Sequence, residues 1–154
     1  MGYRISTLKA QDVLRAYTLI ERAMPGVDLE QWIALTATTL LCRCWFVVKD
    51  SEGYIRGLAY VAIKGAGDRQ RQAEVPLFIS VSLVDNREVL SMLFSEVRSF
   101  AIAEDCRTIH IWTATPPDWS VMTDFLEHGP WDHGLICGVD SAVLPDYSIL
   151  PVKM

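Results

Sequence analysis

Four cysteines, three histidines and scattered carboxylates and arginines give this chain its capacity for chemistry. Cys42 and Cys44, together with His110, His128 and His133, are residue types that ligate transition metals. Closed zinc sites space their ligands as C-x2–4-C and H-x3–5-H. Here one residue separates the cysteines, and His128 and His133 straddle Gly129-Pro130. No metal site is expected. Cys42, Cys44, Cys106 and Cys137 read instead as free thiols, most of them beside apolar runs. A Cys/His or Ser/His/Asp nucleophilic site assembles in space, so spacing does not exclude one. The sequence has no G-x-S-x-G elbow, however, and Cys106 falls between a helix and a strand, which argues against a covalent hydrolase. Arg69 and Arg71 in the run DRQRQ are guanidinium forks suited to a phosphate or an acidic substrate. Their plainer reading is a solvated loop tip. Trp32, Trp45, Trp112 and Trp131 read as packing residues, whereas Trp119, just after Pro116-Pro117, could line a pocket or a partner surface.

These groups must be held by elements whose signals run along the chain. Tyr3 to Leu8 alternates as an opening strand. Asp12 then starts a helix with Val13, Tyr17, Ile20 and Met24 on one face, stopped by Pro25-Gly26. Asp28 is placed to cap a second helix, with Leu29, Trp32, Ile33, Thr36 and Leu40 on one side. Cys44–Lys49, the turn Asp50-Ser51-Glu52-Gly53 and Tyr54–Lys64 predict a hairpin. The polar run Gly65 to Glu74 predicts a surface loop. Val75 to Val84 predicts a strand with Val75, Leu77, Ile79, Val81 and Leu83 on one face, and Pro76 near its start where no ladder donor is needed. Leu90, Leu93, Phe94, Val97 and Ala101 form the strongest helical stripe. Arg107–Thr113 is another strand, and Asp118 to His128 a short helix carrying Val121, Met122 and Phe125. Trp131–Gly138 and Ser141–Val152 read as final strands. The order β-α-α-β-β-β-α-β-α-β-β predicts a mixed α+β domain over residues 1–154, with a mostly antiparallel sheet, one parallel crossover and helices on both faces.

Bulk properties fit a single domain. The chain has 154 residues, 51% of them hydrophobic and 21% charged, an ordinary globular balance. A net charge of −5 supplies no electrostatic footprint for nucleic acid and argues against an anionic membrane surface. No secretory signal, myristoylation pattern or apolar run of membrane-spanning length is visible, so a cytoplasmic location is expected.

Over nearly the whole chain, this order resembles the GNAT superfamily of acyl-CoA-dependent N-acyltransferases. Two stretches carry the resemblance. VPLFISVSLV, the amphipathic helix and RTIHIWT look like that family's central strand, cofactor helix and following strand. Phe125-Leu126-Glu127-His128-Gly129-Pro130-Trp131 resembles its end-of-helix pattern. The resemblance implies acetyl-CoA or another acyl-CoA as cosubstrate and a small-molecule or peptide amine as acceptor. It places the pantetheine along Ser82, Leu83 and Val84 and the pyrophosphate at Asn86, Arg87, Glu88 and Val89. It gives Glu74 the role of general base.

The sequence also departs from the family. Its phosphate-binding turn is basic and glycine-rich, so that backbone N–H groups can approach a pyrophosphate. Here the turn reads Val84-Asp85-Asn86-Arg87-Glu88-Val89, without glycine and with acids that suit capping the helix instead. The family's late-helix tyrosine, an acid toward the departing thiolate, falls at Leu126, with His128 nearby as a substitute. These departures keep a second reading open: a non-catalytic member of the fold that binds a ligand or a protein. A third is an unrelated α/β fold whose element order coincides. The last strands could also support a homodimer.

Overall fold

A computed structural model describes residues 2–65, 71–82, 84–129 and 134–140. Along the chain come β1 (Arg4–Thr7), a 3-10 turn (Ala10–Asp12), α1 (Val13–Ala23), α2 (Leu29–Leu35), α3 (Thr39–Cys42), β2 (Trp45–Lys49) and β3 (Ile55–Lys64). They are followed by β4 (Arg71–Ser80), α4 (Asn86–Ala103), β5 (Cys106–Trp112), α5 (Trp119–His128) and β6 (Gly134–Gly138). The strands form one six-stranded sheet in chain order. Every neighbouring pair is antiparallel except β4 and β5, which α4 connects as a parallel crossover. Trp131–His133 and the expected last strand, Ser141–Val152, lie outside the described residues, and with them the edge on which a dimer was expected.

Each face of the sheet has its own core. On one side α4 buries Val89, Leu90, Leu93, Phe94, Val97 and Ala101 against Val48, Ala59, Val61, Val75, Ile109 and Ile111, as its stripe predicts. Gly57 of β3 lies under this helix. A Cβ there would come 2.5 Å from Val89 Cγ1, so the absent side chain sets how closely α4 approaches. On the other side α1, α2 and α5 cover Trp45, Val47, Leu58, Leu77, Ile79 and Trp112. Helices therefore do occupy both faces.

Three local expectations are corrected. Asp12 does stand at the start of α1, in the N-cap position, but its side chain makes no cap there. Its buried carboxylate pairs with Lys49 Nζ at 3.2 Å. Asp28 does cap α2, accepting from Gln31 N at 2.8 Å, but the expected apolar side is not a buried stripe. Trp32 is fully buried, whereas Leu29, Ile33 and Leu40 are exposed. The helix ends because Thr36 Oγ1 bonds back to the Trp32 carbonyl at 2.8 Å and the chain turns into α3.

The third correction concerns β4. Its strand begins at Arg71, inside the stretch expected as loop, and ends at Ser80 instead of Val84. The register passes from Ala62↔Glu74 to Tyr60↔Leu77, so Val75 and Pro76 together face Val61. This is a β-bulge, and Pro76, which has no N–H to leave unpaired, occupies its second position. The extra residue reverses the alternation. Val75 packs toward α4, whereas Leu77 and Ile79 pack toward α1, so these three do not share the face that simple alternation gave them.

Candidate functional site

The bulge also marks where the parallel pair comes apart. β4 pairs with β5 from Arg71↔Cys106 to Val75↔Ile111 and no further. Beyond it, Thr115 Oγ1 reaches the Pro76 carbonyl at 3.4 Å. Val81 N–H donates to the Arg56 carbonyl of β3 at 2.9 Å. Strand alternation then aims Leu77 and Ile79 at β3, and turns the backbone groups of Phe78 and Ser80 toward the side β5 has left. An extended amide can bond to such an edge.

Glu74 stands immediately before the bulge. Its side chain is on the α1 side of the sheet and only 4% of the residue is exposed. Oε1 accepts from Trp112 Nε1 at 2.9 Å and faces His110 Nδ1 at 3.0 Å, while Oε2 accepts from the Gln72 amide. As a carboxylate, Glu74 can only accept, so its His110 contact requires the proton on Nδ1 and leaves Nε2 as the second ring nitrogen. Gln72 in turn accepts from Thr108 Oγ1 at 2.8 Å. The result is a polar ladder of Gln72 and Glu74 on β4 against Thr108, His110 and Trp112 on β5, on the face opposite α4. Its acceptors and donors satisfy one another, as burial demands.

Gly134 of β6 completes this packing. A Cβ there would overlap His110 Nε2 and come 2.6 Å from the Ile111 carbonyl, so the imidazole has its place because residue 134 has no side chain. Beside the ladder lies an aromatic wall. Tyr60 sits 4.5 Å from Trp45 and 5.2 Å from Trp119, and Trp45 meets Trp32 edge-on at 4.9 Å. Trp119 therefore joins this wall and does not stand apart. Burial pushes the Tyr60 phenol up to about 12, so it remains a hydrogen-bond donor throughout the physiological range.

The other residues singled out by sequence are spread along the exit of β4. Ser82 Oγ accepts from Asp85 N at 3.2 Å, and Val84 is 93% exposed. Leu83 lies outside the described residues. Asn86, Arg87 and Glu88 form the first turn of α4, with Arg87 and Glu88 exposed. Val89 points away. Its side chain is in the α4 core and its N–H already bonds to the Asp85 carbonyl at 3.0 Å. Asp85 occupies the N-cap position yet makes no side-chain cap. Its carboxylate instead accepts from Tyr3 Oη at 2.6 Å, and that bond, reinforced by burial, holds the Tyr3 phenol above its usual value. The acids at this turn are thus not both capping groups, contrary to the sequence reading.

Leu126 packs against the α1-side core, and exposed His128 pairs with Asp124 at 3.1 Å and does not join Glu74. Among the described residues no three His, Cys, Asp or Glu side chains are grouped to hold a metal. Arg71 lies 3.9 Å from Glu104, while Arg69 and His133 fall outside the described residues. No described helix is long and apolar enough to cross a membrane. Sequence reasoning singled out Glu74 but missed its partners. The alternation in RTIHIWT does put Thr108, His110 and Trp112 on one face, and was the available signal.

No protein-family model matches the sequence, and no curated protein matches it. Solved structures do resemble the fold. Glucosamine-6-phosphate N-acetyltransferase from Arabidopsis thaliana superposes with a TM-score of 0.60 and 12% identity, covering 80% of this chain and 86% of its own. The aminoglycoside N-acetyltransferase AAC(6')-Iy in complex with CoA gives 0.60 and 12% over 87% and 90%. A chain of the NatC complex bound to Gag peptide and CoA gives 0.57 and 9% over 72% and 74%. The resemblance read from the sequence therefore holds at the level of fold, and coincidence of element order is set aside.

Proposed function

We propose, from the premise that this chain has the fold of N-acetyltransferases, that it transfers an acyl group from an acyl-CoA to an amine, with Glu74 as general base. The single observation behind this reading is a buried carboxylate, held by three donors, at the point where β4 and β5 separate. When bound, the coenzyme supplies an acyl thioester, whose carbonyl is the electrophile. Phe78 and Ser80 offer backbone groups to its amide arm. Glu74 takes a proton from the incoming amine, the nitrogen bonds to the carbonyl carbon, and coenzyme A leaves as the thiolate. His110 and Trp112 act as positioning residues that fix the carboxylate. Tyr60, one residue pair along the same face, offers a hydrogen bond to the departing sulfur.

The fit is good along β4 and poorer at α4. Turned toward Tyr3, the Asp85 carboxylate leaves the first turn of α4 without a side-chain cap, which suits an anion. Asp85 and Glu88 nonetheless set two acids against Arg87 there, without a glycine to admit a pyrophosphate. That observation favours the second reading, a non-catalytic module of the same fold.

Two measurements separate the readings. Acetyl-CoA at about a hundred times its dissociation constant adds roughly 2.7 kcal/mol to the stability of a protein that binds it, visible as a rise in melting temperature. Thiol release with a panel of amines, from peptides to amino sugars, then reports transfer. Glu74→Gln is expected to lower kcat/KM by about 10²–10⁴. No stabilisation at millimolar acetyl-CoA would overturn the proposal and leave the non-catalytic reading, whereas unchanged turnover in the variant would exclude Glu74 as the base.

A further inference from the structure

A cavity of about 360 Å³ lies on the α1 side of the sheet, where α1, the start of β3 and the end of β4 converge. Arg15, Thr18 and Arg22 reach it from one face of α1, Tyr54 from the turn before β3, Arg56 from β3, and Val81 closes it at the exit of β4. Its lining carries three arginines and no acid, in a chain whose net charge is −5. Asp50, behind Arg56, offsets one of those charges.

Two of the guanidiniums are set in place by the β2–β3 turn. Asp50 Oδ1 accepts from the backbone of Glu52 at 2.9 Å and of Tyr54 at 3.0 Å, and Oδ2 accepts from Arg56 Nε at 2.9 Å. Arg15 Nη1 donates to the Gly53 carbonyl at 2.8 Å. Gly53 has φ +85°, and a Cβ on it would come 2.9 Å from that same nitrogen, so glycine serves both the turn and the arginine. Both guanidiniums lie over the Tyr54 ring, Arg15 at 5.3 Å and Arg56 at 5.7 Å from its centroid. Each arginine uses one part of its fork on the protein and keeps other N–H donors. Arg22 makes no hydrogen bond or ion pair with any described residue.

We infer that this cavity binds the phosphate group of a small molecule, with Arg22 as the free contact and Arg15 and Arg56 as preset walls. Planar forks with several spare donors match phosphate oxygens in pairs, and a net local charge of this sign favours a multiply charged anion. Because Val81 directly follows the open edge of β4, the nucleotide end of a coenzyme is one source of that phosphate. A separate phosphorylated metabolite is the other. The inference goes beyond acyl transfer and does not depend on it.

The test is calorimetric titration of the full chain with inorganic pyrophosphate. Saturable binding is expected, weakened at least about tenfold by Arg22→Ala, as for loss of one charge-assisted contact. Arg107→Ala, an exposed arginine of β5 that does not line the cavity, should leave the affinity unchanged. Arg22 is on the surface, so its replacement does not threaten folding. Displacement of pyrophosphate by coenzyme A marks the coenzyme as the source. Displacement by a sugar phosphate but not by coenzyme A marks a separate ligand, and both outcomes support the site. Absence of saturable binding at millimolar pyrophosphate, or equal affinity in wild type and Arg22→Ala, overturns it. No turnover enters the readout, so failure here is distinct from failure of acyl transfer.

Discussion

Replacing Glu74 tests whether the polar ladder is a structural necessity as well as a proposed catalytic one. Glu74→Ala removes the acceptor of Trp112 Nε1 and of His110 Nδ1, on residues only 1% and 7% exposed. Depriving a buried donor of its acceptor costs about 1–3 kcal/mol, so the two together cost roughly 2–6 kcal/mol. Gln72 adds little, because it is only half-buried and still accepts from Thr108. Against a total stability of about 5–15 kcal/mol, this is a large fraction. For a chain of this length, a melting temperature lower by on the order of 10 °C should follow. Glu74→Gln keeps a carbonyl oxygen at the Oε1 position that Trp112 and His110 share, but sets an amide against the Gln72 amide in place of Oε2, so it loses about 1–3 kcal/mol. Urea unfolding followed by tryptophan fluorescence at neutral pH should therefore rank wild type above Gln and Gln above Ala. The reasoning is refuted if Ala falls within about 0.5 kcal/mol of wild type, the range of ordinary surface changes, or if Gln is as damaging as Ala.

Gly134→Ala should displace the His110 imidazole and strain β6 against the Ile111 carbonyl, costing about 1–3 kcal/mol. The imidazole resonances of His110 in a nuclear magnetic resonance spectrum should shift with it, and an unmoved ring would exclude the overlap. Gly57→Ala drives a methyl group into Val89 and Leu93, at 2.5 and 3.1 Å, and should destabilise by a similar about 1–3 kcal/mol. Adding Val89→Ala should recover part of that loss in urea titrations, and strict additivity of the two would contradict the contact. Asp50 gives a pH signature. Burial alone would raise its carboxyl, but the Arg56 guanidinium and the Tyr54 and Glu52 N–H groups outweigh it and hold the carboxyl below its usual 3.8. A folded-state value below the unfolded one stabilises above the unfolded value, and that contribution disappears as pH falls through the folded one. Asp50→Asn should accordingly lose stability by a constant amount above about pH 5 and converge on wild type in acid, whereas a gap that persists or widens below about pH 4 would contradict it.

What could be read from the sequence was what is local. The α4 stripe from Leu90 to Ala101 repeats at helical spacing, and each of its five residues is buried. The hairpin around Asp50–Gly53 and the Asp28 cap depend on near neighbours, and both stand where the residue types put them. The start of β4 was hidden because Arg71, Gln72 and Glu74 are polar. They become strand only because Lys64 and Ala62 on one side and Cys106 and His110 on the other complete their ladders. Glu74 and His110 are 36 residues apart, and no spacing rule links them. Asp85 was legible as a residue at a helix start, but its partner Tyr3 lies 82 residues upstream. The exposed Leu29, Ile33 and Leu40 mark the opposite failure, in which a convincing period ends at Thr36 before it forms a continuous buried face.

The bulge at Val75-Pro76 acts on β4 as a frameshift does on a message. Upstream of it, even-numbered residues face α1. Downstream, odd-numbered ones do, which is how Glu74 and Leu77 come to share a side. Deleting Pro76 would remove the frame change without turning either half over, because Glu74, Val75 and Leu77 would then alternate regularly, each on the face it already has. What the extra residue changes is the backbone, since it breaks the ladder directly after Glu74, where β4 and β5 part. A one-residue deletion at the bulge is therefore expected to spare the cores on both faces and to act on the free edge that Phe78 and Ser80 present.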